Sequence, residues 1–304
     1  MASTAEIKSR IRSVEDTRKI TNAMYLIAST KLRRARNDLD KTRPYFDALQ
    51  AEIKRIFRTV RDVDSRYFYP PDREPVVEGP YGCLVITADK GLAGAYNQNV
   101  IKEAQKLMEE HGDMQLFVVG EYGRHFFTQH HIPIEHTFLY TAQNPTMERA
   151  REISSLLLDK YDRGELKKIY IVYTDLKSSV ETVARSTRLL PFHRAQFISP
   201  TQEKRGRNPF EFYPSVTGVL NNIIPSYLSG FIYSTLIDSF CSEQNARMNA
   251  MDAANRNAEE LLATLGTQYN RIRQGNITQE ITEITAGAKA QKRQRARRKE
   301  VKAP

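Results

Sequence analysis

The stretch IDSFCSEQNARMNAMDAANRNAEELLATLGTQYNRI, residues 237–272, decides the fold class of this chain. Its apolar and small residues recur at steps of three and four that average about 3.5 residues, the period of a helix paired in a left-handed coiled coil. No proline lies between Pro225 and Pro304, so a helix is predicted from about residue 226 to residue 286. At about 1.5 Å per residue it would be roughly 90 Å long, so its apolar stripe needs a partner beyond a compact core.

The N-terminal segment provides such a partner. Ser3 and Glu6 have capping-box spacing, which predicts the start of a helix, and a seam of the same period runs from Ile7 to Leu39. Helical spacing continues beyond Pro44. We therefore expect the two ends of the chain to pair as an antiparallel coiled coil that protrudes as a stiff strut. The alternative is a helical bundle in which both segments fold around the central domain.

Between the two ends, short β-branched runs alternate with helical stretches, which is typical of a Rossmann-like α/β domain with a mostly parallel sheet. The predicted strands are Tyr81–Thr87, Met114–Val119, Ile132–Phe138, Lys167–Thr174 and Val180–Leu189, and the predicted helices are Gln98–His111, Tyr122–Gln129 and Thr146–Tyr161. The fold class is therefore α/β with long helical extensions. Four segments are expected: an N-terminal coiled-coil helix at 1–68, the inserted α/β domain at 75–198, a C-terminal coiled-coil helix at 210–288 and a basic, disordered and solvated tail at 289–304.

The formal net charge of +10 belongs to the two ends of the chain. Residues 289–304 carry eight Lys or Arg against one Glu, and residues 1–66 carry sixteen basic against nine acidic residues. Cys83 and Cys241 are the two cysteines, and they form no CxxC spacing, which argues for a reducing compartment and against a disulfide or zinc framework. No apolar run approaches the roughly 20 residues that span a bilayer, so any membrane association is expected to be peripheral.

One glycine-containing loop raises the possibility of a nucleotide-binding enzyme. TADKGLAGA, residues 87–95, follows a predicted strand, and Glu121 follows the next strand, where an acid that binds ribose would belong. The glycines form only G-x-x-G, however, and a tight strand-to-helix turn explains them equally well. His125, His130 and His131 lack an acidic partner at metal-ligand spacing and are interpreted as surface histidines.

Two polar segments of the predicted helices are candidates for binding other macromolecules. A basic cluster is formed by Lys31, Arg33, Arg34 and Arg36. We interpret it as a solvated helix face. The alternative, a nucleic-acid site, is less favoured because no aromatic residues are interleaved with the cations. Residues 273–284 combine an apolar stripe of isoleucines with polar side chains near the end of a helix that outruns its partner. This combination indicates a surrounding protein surface.

Four motifs in the right order give the sequence a family resemblance. They are KITNAM at 19–24 with ASTKLRRA at 28–35, TADKGL at 87–92, SEQNARM at 242–248 with AMDAA at 250–254, and YN at 269–270 through ITQEI at 277–281. Together they resemble the gamma subunit of the F-type rotary ATP synthase of bacteria, over about residues 3–288. The resemblance implies a central rotor shaft that passes torque between a proton-driven membrane ring and the catalytic hexamer of alpha and beta subunits.

The resemblance also implies partners, location and contact residues. One copy per complex would bind the alpha and beta subunits, the epsilon subunit and the membrane c-ring, peripherally at the cytoplasmic face of the cell membrane, with no nucleic acid, no cofactor, no metal and no catalytic site. Contacts with the hexamer are expected from Met24, Lys31, Arg33, Arg34, Arg247, Arg273, Gln274, Gln279, Thr282 and Glu283. The chain departs from the family pattern at Tyr25 and Leu26 and at Gly275 and Asn276, and it lacks the cysteine-bearing insertion of the chloroplast type, so thiol regulation is not expected.

Overall fold

The computed structural model describes residues 3–60, 65–69, 80–112, 114–139, 141–176, 182–193, 197, 212–213 and 215–300, with side chains described as far as residue 292 except at Thr59. The chain divides into two compact units. We call Met1–Tyr25 together with Met251–Pro304 the terminal unit, and Leu26–Ala250 the central unit. Two long helices, α1 (Thr4–Thr59) and α5 (Val216–Glu300), contribute residues to both units.

The terminal unit is an antiparallel pair of helices, as the sequence predicts. Arg18 forms an ion pair with Glu259 at 3.6 Å, and the hydroxyl of Thr21 hydrogen-bonds the side chain of Asn255, so residue numbers rise along one helix as they fall along the other. The buried apolar residues of this pair are Ile7, Met251 and Leu265. The hydroxyl of Ser3 accepts the amide of Glu6 at 3.2 Å, which confirms the predicted helix start.

The central unit contains a five-stranded sheet with the order β3-β2-β1-β4-β5. The strands are β1 (Tyr81–Ile86), β2 (Met114–Val119), β3 (Ile134–Phe138), β4 (Lys168–Leu176) and β5 (Thr182–Leu190), and the short helices are α2 (Tyr96–His111), α3 (Glu121–Gln129) and α4 (Met147–Asp162). All neighbouring strands are parallel except β4 and β5, which form an antiparallel pair. The predicted α/β fold with a mostly parallel sheet is confirmed.

Helices cover both faces of the sheet because side chains alternate along each strand. Leu84 and Ile86 of β1 share a hydrophobic core with residues of α1, α4 and α5. Cys83 and Val85 point to the opposite face and pack with residues of α2 and α3. The inner halves of the two long helices therefore pack onto the sheet itself.

The long helices end at different places from those predicted. α5 begins at Val216 rather than near residue 226, and Pro225 lies inside it. It continues to Glu300, beyond the predicted helix end near residue 286 and into residues 289–304, which the sequence predicts to be a disordered tail. α1 ends at Thr59, short of the predicted limit at residue 68.

Residues 65–69 belong to the sheet end of the central unit rather than to the N-terminal helix. Phe68 forms an isolated parallel bridge with Phe192, whose amide donates to the carbonyl of Tyr67 at 2.7 Å. Of residues 200–214, a polar, proline-containing stretch of the sequence, only residues 212 and 213 are among the described residues. Val180, where the last predicted strand begins, also lies outside them.

Candidate partner-contact site

The loop between β1 and α2, residues 87–95, has a rigid base. The hydroxyl of Thr87 donates to the carbonyl of Val119 at 2.9 Å and accepts the amide of Gly123 at 3.0 Å. Gly120 approaches so closely, with φ of 97°, that a Cβ there would lie 2.3 Å from the carbonyl oxygen of Thr87. Glycine is required at this position because both the backbone angle and the close approach exclude a side chain.

Two polar side chains fix the course of the loop beyond Thr87. The side-chain oxygen of Asn97 accepts the amide of Ala88 at 2.9 Å. Asp89 accepts the amide of Glu121, at the start of α3, at 2.9 Å through one carboxylate oxygen. The loop is thus bonded to the helices that follow both β1 and β2.

A polar segment of α5, Ser239–Arg247, lies against the carboxyl ends of the central strands. The hydroxyl of Ser239 accepts the amide of Thr174 in β4 at 3.3 Å, and the hydroxyl of Ser242 donates to the carbonyl of Thr174 at 3.5 Å. Ser242, Glu243, Gln244 and Asn245 are all buried. The SEQNARM motif is therefore internal to the central unit over its first four residues, and Ser242 contacts β4.

An ion pair at the end of this segment reaches the loop. Arg247 pairs with Glu243 at 2.5 Å and donates to the carbonyl of Gly91 at 3.1 Å. Burial raises the pKa of Glu243 above its usual value, and Arg247 opposes this rise. Breaking such a pair leaves a mostly buried charge without its partner, which is costly even where the intact pair adds little net stability.

This arrangement closes the crevice in which the nucleotide alternative would have placed its ligand. In doubly wound folds ligands bind outside the carboxyl ends of the strands, where the strand order reverses, which here is between β1 and β4. α5 is bonded to both sides of that crevice. On one side it bonds Thr174, near the carboxyl end of β4, and on the other it bonds Gly91, in the loop that follows β1. Glu121, the candidate ribose-binding acid, is instead bonded by Arg124 at 2.6 Å.

The structure separates the ten residues that the resemblance marks as contacts with the hexamer. Arg247 is mostly buried, with its side chain 12% exposed and bonded within the chain. Lys31, Arg33 and Arg34 are exposed on α1 in the central unit. Met24 is half-buried in the terminal unit. Glu243, which sequence reasoning did not single out, lies four residues before Arg247, and this i,i+4 spacing of an acid and a base is the pattern that could have revealed it.

The C-terminal candidates form one exposed surface of the terminal unit. Arg273, Gln274, Gln279, Thr282 and Glu283 are all exposed. Ile277, Ile281 and Ile284 are 49%, 59% and 72% exposed. The side-chain amide of Gln279 donates to Glu283 at 2.9 Å, so the polar groups satisfy one another along the helix. An exposed apolar stripe between such groups is typical of a surface that another protein covers.

The three histidines that the sequence predicts to be surface residues are exposed: His125 lies on α3, and His130 and His131 follow its C-terminal end. The His125 side chain is 67% exposed and lies 3.7 Å from Glu121, and His130 stacks on Phe126. Within the residues that the structure describes, no three His, Cys, Asp or Glu side chains come together as a metal site would require. Cys83 and Cys241 are buried free thiols.

A scan of protein families places the chain in a family described as ATP synthase, over residues 3–291. The ATP synthase gamma chain of Ruminiclostridium cellulolyticum is 41% identical over 94% of this chain and 97% of its own length. The sodium ion specific ATP synthase gamma chain of Acetobacterium woodii is 36% identical over 94% of this chain and 97% of its own length. These matches extend over almost the whole chain.

Two solved structures share the fold. A chain in the Euglena gracilis mitochondrial ATP synthase (OSCP/F1/c-ring, rotational state 3) aligns with a TM-score of 0.67 at 16% identity, over 94% of each chain. A chain of the rotor of the same organism's enzyme in rotational state 1 aligns with a TM-score of 0.62 at 14% identity, over 90% of this chain and 98% of its own.

The fold and the family together define a subunit of an ATP synthase complex. Within that class, the chain belongs to the ATP synthase gamma family, as the four sequence motifs predict. The mixed five-stranded sheet with long N- and C-terminal helices is the fold that this chain shares with the two matched chains. In the part of the chain that the structure describes, no helix is both long and apolar enough to cross a membrane.

Proposed function

We propose that this chain is the central rotor shaft of its ATP synthase. The paired helices of the terminal unit turn inside the hexamer of alpha and beta subunits, and the chain itself carries no catalytic site. Its rotation drives each catalytic subunit through different nucleotide affinities in turn. Membership of the gamma family is the single observation that carries this proposal.

The surface of the terminal unit supports contact with a surrounding protein. From Arg273 to Lys292 every residue of α5 is exposed, including the three isoleucines at positions 277, 281 and 284. Isolated apolar side chains in water lose the stabilisation that burial would provide, about 25 cal/mol for each Å² of apolar surface. We propose that Arg273, Gln274, Gln279, Thr282 and Glu283 contact the hexamer around this stripe, and that Met24 contacts it from α1.

The central unit provides the second proposed set of contacts. The exposed cations Lys31, Arg33 and Arg34 lie on one stretch of α1 and suit acidic loops of the hexamer. The epsilon subunit and the membrane c-ring are the further partners proposed for this unit. One copy per complex, attached peripherally at the cytoplasmic face of the cell membrane, completes the proposal, and the coupling ion is proposed to be the proton.

Reconstitution tests the proposal directly. The chain is co-expressed with the alpha and beta subunits of its own organism and purified through a tag on the beta subunit. We expect a complex that contains one copy of this chain and hydrolyses ATP. Absence of the chain from the complex at both low and high salt would contradict the proposal. Dependence of ATP-driven pumping on sodium rather than on protons would correct the ion alone.

Truncation tests the role of the basic C-terminal segment. Because the family match ends at residue 291, removal of residues 292–304 is expected to leave assembly and ATP hydrolysis intact. The same truncation tests the nucleic-acid alternative, since that activity would depend on the charge of this segment and would fall steeply with salt. Loss of assembly on truncation would show that the segment contacts the hexamer.

A further inference from the structure

Arg247 is bonded in two directions inside the central unit. One nitrogen of its guanidinium pairs with Glu243 at 2.5 Å, and another donates to the carbonyl of Gly91 at 3.1 Å. The side chains of the pair are only 12% and 9% exposed. Two of the N–H groups of this guanidinium are bonded within the chain and most of its surface is covered, so Arg247 offers little of its side chain for direct contact with another subunit.

The loop that Arg247 holds presents an unusual residue to the outside. Leu92 has φ of 61° and is 65% exposed. The left-handed region is unfavourable for leucine, because its Cβ comes close to the following carbonyl oxygen. Such a conformation persists only where the surroundings enforce it, and it is frequent where a residue serves a function. Lys90, also exposed, lies on the same turn.

The bonds around the turn show which groups enforce the conformation. Asn97 and Asp89 hold the entry of the loop, at Ala88 and at the start of α3. Arg247 holds the carbonyl of Gly91, the residue immediately before Leu92, from a helix 156 residues further along the chain. Two local bonds also restrain the turn: Asn97 donates to the carbonyl of Lys90 at 3.5 Å, and the amide of Tyr96 donates to the carbonyl of Ala93 at 3.2 Å. Because neighbouring Gly91 and Gly94 permit many backbone angles, the bond from Arg247 adds a restraint at Gly91 itself.

We propose that Arg247 is a positioning residue that sets the turn Gly91–Gly94 so that Leu92 is presented as an apolar contact to another subunit. The surface that it fits is an apolar recess beside acidic groups, which would match Leu92 and Lys90. This inference rests on the proposed function, because it requires a surrounding subunit. It assigns Arg247 an indirect role in that contact, through the loop.

Amide exchange in the isolated chain tests the positioning half of the proposal. Arg247→Gln is compared with Arg256→Gln, a control from an exposed i,i+4 pair with Asp252 on the same helix. Loss of a charged hydrogen bond is expected to speed exchange in residues 88–95 by about tenfold or more in Arg247→Gln. Residues 114–119 in β2 should be unchanged, and the control should change neither segment. Unchanged exchange in residues 88–95 would overturn the proposal.

Activity of the reconstituted complex tests the contact. Leu92→Ser and Arg247→Gln are each expected to lower ATP hydrolysis severalfold, and the double variant should be no worse than either, because both act through one contact. Leu92→Ser should lower the rate of ATP hydrolysis although the ion pair between Arg247 and Glu243 is intact in that variant. Independent, multiplied losses in the double variant would overturn the proposal, as would a Leu92→Ser complex of normal rate.

A conservative variant guards against a simple failure to fold. Arg247→Lys retains a cation for Glu243 but cannot donate from two separated nitrogens, so exchange in residues 88–95 should fall between wild type and Arg247→Gln. Exchange as slow as in wild type would show that charge alone suffices and would overturn the assigned bond to Gly91. If wild-type chain fails to assemble, the proposed function fails, and the exchange measurements still decide whether Arg247 holds the loop.

Discussion

Two segments of α5 that look alike in sequence have opposite environments. Ser239–Arg247 and Arg273–Glu283 are both rich in Gln, Glu, Arg and hydroxyl residues. The first is buried in the central unit, where the sheet supplies partners for its polar groups, and the second is exposed in the terminal unit. A polar motif on a helix therefore does not by itself indicate an external partner, because the backbone of a strand in the same domain can bond its polar side chains instead.

The largest difference between the segments should appear when one glutamate of each is removed. Glu243→Ala leaves Arg247 mostly buried without its anion, which is expected to lower the free energy of unfolding by about 3 kcal/mol. Glu283→Ala, in the exposed segment, should change it by less than about 0.5 kcal/mol. Urea denaturation of the isolated chain followed by circular dichroism measures both values. Equal effects in the two variants would show that the buried pair is not a structural element.

Two glycines of α5 differ in the same way, since one is closely packed in the central unit and the other is exposed in the terminal unit. A Cβ on Gly230 would lie 1.9 Å from the ring of Phe46, so Gly230→Ala is expected to destabilise the chain by about 1–3 kcal/mol. Gly287 has no neighbouring atom within 4 Å, and Gly287→Ala should stabilise the helix by about 0.5–1 kcal/mol. Thermal unfolding of the two variants gives the signs. A neutral Gly230→Ala would mean that Phe46 moves aside without penalty.

Much of the fold follows from hydrophobic periodicity, and the exceptions have physical causes. The described strand ends lie within two residues of the predicted ends, because buried β-branched runs contrast sharply with the surrounding polar residues. The helix is predicted to begin near residue 226, just after Pro225, but Leu220 and Ile224, both fully buried, keep the preceding turns helical. At the other end, the sequence predicts a disordered tail at residues 289–304, since a run of like charges repels itself. Arg, Lys, Gln and Ala are strong helix formers, which accounts for its continuation to Glu300.

The candidate site was predictable only in part. Motif resemblance located Arg247, and helical spacing located the exposed isoleucine stripe. The bond from Arg247 to Gly91 joins residues 156 positions apart and depends on how α5 lies across the sheet, which no local pattern encodes. The same holds for Ser239 and Thr174, 65 positions apart. Long-range polar contacts of this kind decide whether a motif is internal.

A buried acid of the central unit gives a smaller, pH-dependent effect. Burial and then Asp175 raise the pKa of Asp238 to about 6 from 3.8, while Arg185 and Arg43 oppose the rise, and the thiol of Cys241 is a further neighbour. Between these two values the folded chain binds more protons than the unfolded chain, so stability falls as pH rises from about 4 to 6. Asp238 thus lowers stability at neutral pH.

Asp238→Asn is therefore expected to raise the free energy of unfolding by about 1 kcal/mol at pH 8 and to give no such gain at pH 3. Asp40→Asn, at an exposed position of α1, is the matched control for the same change of side chain away from the buried cluster. Denaturation at a series of pH values measures the difference. A gain of the same size at both pH values would assign the effect to packing rather than to charge.

The exposed isoleucines should affect the isolated chain least and the complex most. Ile281→Gln and Ile284→Gln remove apolar surface that is already in contact with water, so each should change the free energy of unfolding by less than about 0.5 kcal/mol. Leu265→Gln, at a buried position of the same unit, should destabilise the isolated chain by about 2 kcal/mol or more.

For binding to the alpha and beta subunits, we expect the exposed isoleucines to matter more than they do for the stability of the isolated chain. If the hexamer covers the stripe, each Ile→Gln variant loses about 1–2 kcal/mol of affinity, roughly a tenfold weaker complex, measured by titration of labelled chain. Affinity equal to wild type for both variants would leave the stripe in water within the complex. Because stability and affinity then respond to different residues of one helix, the two measurements together distinguish a surface kept for folding from one kept for a partner.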